Sequence, residues 1–157
     1  MSELEKFATR RGTDDAYLRR WLIEAMVLGA VSDGEFTPAE SERVIRVIGD
    51  NATFIDMGAD ELRASLEGVF DSIVRDGFDV RLAALAAALP GYNERVMAFR
   101  CVVRVAFADG RLADDEFAFM RRMQKVLGIV DGDVARAFDA AQESDFGGLA
   151  EAEPIEA

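Results

Sequence analysis

Apolar residues recur at intervals of three and four along almost the whole chain, the spacing of one helix face, and no stretch shows the alternation of a strand. Leu18, Trp21, Leu22, Ala25 and Leu28 mark the inward face of a first helix, which Asp14 can cap and Asp33-Gly34 can close. Thr37-Pro38-Ala39-Glu40 opens a second helix running to about Gly49. Threonine fits N-cap, proline fits N1 where its missing N–H is no loss, and Glu40 falls at N3, completing a capping box. A third helix, near 60–75, carries Leu62, Leu66, Val69, Phe70 and Ile73 on one side, and an alanine- and leucine-rich fourth, about 79–89, stops at Pro90. Asn93 can cap a fifth that ends at Asp109-Gly110. A sixth covers about 114–127 and closes at Gly128, and Asp131 or Asp133 starts a short seventh ending near Gln142.

The fifth helix reads as the centre of the bundle, because Val96, Phe99, Val102, Val103, Val105, Ala106 and Phe107 cover most of its circumference. Arg100 and Arg104 interrupt it one turn apart, a repulsive spacing that calls for acidic partners or a path to water. The expected fold is therefore an all-α bundle of about seven helices. Its organisation is an N-terminal arm over 1–13, a helical domain over 14–142 and a tail over 143–157. That tail holds five acidic residues and no basic ones, with two glycines and a proline, the composition of a solvated, disordered segment. A chain of 157 residues suits one core.

Charge narrows the function. With 30 acidic residues against 18 basic ones the formal net charge is −12, the wrong sign for a nucleic-acid binder, which needs clustered cations. Histidine is absent, which removes Ser-His-Asp and Cys-His machinery and Cys/His zinc sites together. What remains for an enzyme is metal-assisted carboxylate chemistry; the expectation is a binding module and no enzyme. The single cysteine, Cys101, lies in an apolar stretch and reads as a small buried hydrophobe in a reducing compartment. The N-terminal residues form no apolar signal region, and the apolar runs are too short to span a bilayer, so a cytoplasmic location without membrane insertion is expected.

One motif occurs twice. SDGEFTPAE at 32–40 and ADGRLADDE at 108–116 superpose at a shift of 76 residues, so that Asp33 meets Asp109, Gly34 meets Gly110 and Glu40 meets Glu116. Each copy joins an apolar helix to an amphipathic one, which implies a duplicated helix–loop–helix packed as two equivalent halves. The D-G-x5-E spacing matches the second half of an EF-hand loop. Its first and third ligand positions, however, would be Gly29 and Val31 or Val105 and Phe107, none of which offers a side-chain oxygen, so neither copy is an EF-hand.

The paired DG-x5-E motifs, with the intervening segment FDSIVRDGFDVRLAALAAAL at 70–89, resemble the TerB tellurite-resistance family over about residues 14–139. The resemblance implies an all-helical fold and a non-enzymatic stress-response role, in a complex at the inner face of the cytoplasmic membrane. It also implies a protein partner and a weakly bound divalent cation, calcium or magnesium, at the acidic loops. The positions carried over as cation ligands are Asp33 and Glu40 in the first copy and Asp109, Asp114, Asp115 and Glu116 in the second. Each also has a purely structural use: Glu40 closes a capping box, Asp33 and Asp109 flank helix-ending glycines, and Asp114, Asp115 and Glu116 meet the positive end of a helix dipole. The alternative within binding modules is a co-chaperone-like interaction domain without metal.

Overall fold

Every position from 21 to 31 is buried, and only Glu24 in that run carries a charge. A helix apolar on all sides must be surrounded by others, and this one is. The computed structural model describes residues 3–31, 36–51, 54, 57–108 and 114–152, with side chains over 16–31, 36–51, 54, 57–108 and 114–143. Among them lie seven helices: α1 (Glu3–Ala30), α2 (Pro38–Gly49), α3 (Ala59–Asp76), α4 (Phe78–Ala88), α5 (Tyr92–Ala106), α6 (Asp114–Leu127) and α7 (Asp131–Ala152). No strand occurs among the described residues.

Three helix boundaries differ from those expected. α1 begins at Glu3, so the backbone at Asp14 is inside the helix rather than at its start. The segment Glu3–Ala8 is made mostly of good helix formers, and the single glycine of the helix's first half, Gly12, opposes helix by only about 1 kcal/mol. α5 is capped by Gly91, with Tyr92 as its first residue, which moves Asn93 into the first turn. The Glu94 carboxylate folds back over Gly91 so closely that a Cβ there would collide with it. α7 runs past Gln142 to Ala152. The expected ends at Asp33-Gly34 and Asp109-Gly110 lie outside the described residues; α1 and α5 end ahead of them, at Ala30 and Ala106.

The centre belongs to α1 as much as to α5. α1 packs most extensively on α5 and also touches α2, α3, α4 and α6, whereas α5 reaches α1, α2, α6 and α7. A close approach occurs at Gly29, where an added Cβ would stand 3.0 Å from Val102 Cγ1 and 3.5 Å from the Phe119 ring. The glycine is there because α5 and α6 leave no room for a side chain. Arg100 is exposed and Arg104 half-buried, so water relieves their mutual repulsion.

The duplication is visible in the packing. Within each copy the apolar helix holds its own amphipathic partner, α1 with α2 and α5 with α6. Across copies α2 packs on α5 and α6 packs on α1. This reciprocal exchange is the packing expected of a duplicated helix–loop–helix. Arg95 ties the ends together: it donates to the carbonyls of Ala86 (2.8 Å) and Leu89 (2.5 Å) at the end of α4, and of Leu127 (3.2 Å) at the end of α6. Last-turn carbonyls lack intrahelical donors, and one guanidinium serves both helices.

Candidate functional site

The second copy of the motif begins α6 and the first begins α2, and the fold brings these helix starts together. Thr37 caps α2, its Oγ1 accepting from the Glu40 backbone N–H at 3.2 Å. Glu40, at N3, is buried, 7% exposed. One turn further along α2, Arg43 reaches across to Glu116, the repeat counterpart of Glu40, with Nη1 to Oε2 at 3.6 Å. A second arginine of the same helix, Arg46, donates to the carbonyl of Ala108 at 3.2 Å, where the second motif starts.

The six acids named from sequence therefore have different environments. Glu40 is buried at a helix start and the Glu116 side chain is mostly buried beside Arg43, while Asp114 and Asp115 are exposed in the first turn of α6. Asp33 and Asp109 lie outside the described residues. The copies converge as a shared site requires, but the charge placed against Glu116 is a guanidinium. Among the described residues no group of three or more Asp, Glu or Cys side chains is arranged to hold a metal ion. The four described carboxylates by themselves do not fit a divalent cation, which needs several oxygens directed at one point.

A different ionic cluster was not anticipated. Glu24, 1% exposed in the second half of α1, receives both arms of Arg81 from α4, Nε to Oε2 at 2.6 Å and Nη2 to Oε1 at 2.7 Å. Arg81 also donates to Asp76 Oδ2 at 3.3 Å and lies 5.5 Å from the centre of the Trp21 ring. The hydrogen bonds to Glu24 chiefly, against the cost of burial, raise the Arg81 pKa further. Asp76 is held below the usual carboxylate range, first by its hydrogen bond from Arg75. A fork-shaped pair of this kind satisfies both buried charges at once. The sequence did carry half of the signal: one carboxylate inside an otherwise apolar run must have a partner, but nothing local names Arg81.

The cluster fixes the elbow between α3 and α4, where Gly77 takes a left-handed φ of +91° that a side chain would resist. Between this elbow and α6 lies a groove of about 600 Å³. Its floor is apolar, with Phe78 and Phe119 edge to face at 5.2 Å. Its rim carries Asp79, Asp115 and Arg122, together with Asp76, which Arg75 and Arg81 already hold. Arg122 pairs with Asp79 and sits 5.5 Å from the centre of the Phe78 ring. Phe119 stands at the repeat position of Arg43, 76 residues on; the half that could have held an ion pair here has an aromatic floor instead.

A second cavity, about 450 Å³, opens between α2 and the start of α3 and is lined by Ile45, Ile48, Phe54, Met57 and Leu62. Beneath that corner of the fold Cys101 is 2% exposed and lies 3.9 Å from the Asn51 amide, and burial pushes its thiol up to about 12. That is the chemistry of an inert core thiol. Among the described residues no helix is long and apolar enough to cross a membrane.

Comparison with protein families places these features in context. The family model described as tellurite resistance protein TerB matches residues 19–139, from within α1 into α7. No curated protein and no solved structure matches the chain.

Proposed function

The chain belongs to the TerB tellurite-resistance family, and on that footing we propose that it is a non-enzymatic stress-response adaptor that binds a protein partner. The observation that carries the reading is the family match over nearly the whole bundle. It is supported by the groove beside α6, which offers concave apolar surface with a polar rim, the make-up of a recognition site. A cytoplasmic setting, with the partner in a complex at the membrane, belongs to the same proposal.

Calcium or magnesium enters this reading only as a weakly held ligand. Asp114 and Asp115 are solvent-exposed, and Asp33 and Asp109 would have to complete the oxygen set. Glu116 is engaged with Arg43 and Glu40 is buried at its helix start, so neither is at hand for a cation.

Deletion of the gene in its own host, with growth on graded tellurite and native-level affinity purification of the tagged chain, tests the adaptor role. The expected result is tellurite sensitivity on deletion, with resistance restored by the wild-type chain and a defined protein recovered alongside it. Unchanged growth together with recovery of the chain alone would sink the reading.

A further inference from the structure

Arg122 makes the contacts that a visiting cation would make. Its guanidinium lies against the face of Phe78 at 5.5 Å and pairs with Asp79, at the edge of a groove that also carries Asp115, while Asp76 is taken up by Arg75 and Arg81. A cation over an aromatic face beside a carboxylate is a recognised way to hold a basic side chain. Here the occupant comes from the protein itself and is held at the surface, with Arg122 48% and Asp79 78% exposed. A pair so exposed adds little to stability. Val80 on the rim, 57% exposed, extends the apolar floor outward.

We propose that this groove seats a Lys or Arg side chain of a partner protein, next to an apolar residue of the same segment, and that Arg122 is the resident cation it displaces. The proposal rests on the adaptor reading and specifies the chemistry of the partner. Charge selects the occupant: Asp76 is held by Arg75 and Arg81, which leaves Asp79 and Asp115 facing Arg122 at the groove, and the whole chain carries −12. An acidic or neutral segment would leave Asp115 uncompensated. A basic one gains Asp79, Asp115 and the Phe78 face once Arg122 swings into water.

The test is an amide NMR titration of the full chain with an acetylated, amidated leucine–arginine–leucine tripeptide, alongside its leucine–glutamate–leucine counterpart. The arginine peptide should give saturable shifts at residues 77–80 and 115–122, and the glutamate peptide none. Arg122→Ala should tighten binding by about threefold to tenfold, because it removes the competitor. Asp79→Asn combined with Asp115→Asn should weaken it at least tenfold. Shifts scattered over the acidic surface and equal in all variants would overturn the proposal, and so would a tightly self-associating chain that protects these same amides. In the cell, Asp79→Asn/Asp115→Asn should lose its co-purifying protein. A variant that keeps that protein undiminished overturns the groove while leaving the adaptor reading standing.

Discussion

Arg43 on α2 lies 3.6 Å from Glu116 on α6, and both side chains are about four-fifths buried. The two arms of the duplicated motif are thus joined by a protein cation that belongs to one copy and neutralises the other. A double-mutant cycle with Arg43→Ala and Glu116→Gln should give a coupling of about 0.5–1 kcal/mol in chemical denaturation. Strict additivity of the two single changes would show that the contact contributes nothing.

The buried pair on α1 and α4 should matter much more. Glu24→Gln leaves Arg81 charged and half-satisfied in the interior, and the loss expected is about 3–5 kcal/mol. The emission of Trp21, the single tryptophan, reads it directly, because Arg81 lies against its ring. Replacing both partners, Glu24→Leu with Arg81→Met, should recover most of the stability. A loss below about 1 kcal/mol in the single variant would mean that water reaches the pair.

Thr37→Ala removes the side-chain cap of α2 and should cost about 0.5–2 kcal/mol, whereas Thr37→Ser should be close to neutral. Equal midpoints for the wild type and the alanine variant in urea would place the helix start elsewhere.

Cys101 gives a pH signature. Its thiol is held near 12 in the folded chain against an ordinary value of 9.0, so the unfolded chain loses its proton first. Between those values the folded state binds more protons, and stability falls as pH rises. Below the ordinary value the contribution is constant. The stability difference between the wild type and Cys101→Ala should therefore shrink as pH rises past 9.0, and a thiol reagent should label the native protein only as fast as it opens. Prompt labelling at about pH 8, where a free thiol is partly ionised, would contradict the burial.

Thermal melts address the cation. With dissociation constants on the order of 10⁻⁴–10⁻³ M, as in weak extracellular calcium modules, the midpoint should rise only at millimolar calcium or magnesium. Asp109→Asn with Asp114→Asn should remove the rise. No response to calcium, magnesium or manganese at several millimolar would leave the acids with structural duties alone.

What the sequence made legible was local. Thr37, Pro38 and Glu40 lie within one turn, so their pattern specifies a helix start, and the structure has it there. Gly128, at φ +68°, ends α6 for the same kind of reason. The duplicated motif was legible because it is a repeated local pattern, although its two aspartate–glycine pairs lie outside the described residues. Glu24 was visible as an anomaly without a solution, since Arg81 is 57 residues away and only the packing of α4 on α1 brings them together. The groove was illegible for a related reason: Phe78, Phe119, Asp79 and Asp115 come from two segments whose registers depend on the elbow at Gly77. The run 21–31, apolar around its whole circumference save for Glu24, puts α1 at the centre beside α5.

The guanidinium of Arg95 has a consequence for how the molecule opens. Because it closes the last turn of α4 and the last turn of α6 simultaneously, an end that frays gives up part of what holds the guanidinium in place for the other. In native-state hydrogen exchange the amides of both last turns should share one opening free energy and behave as one cooperative unit. Arg95→Lys, which offers a compact charge in place of a planar fork, should split that unit into two turns that exchange at separate rates, and a half-chain ending after α4 should fray from its last turn inward.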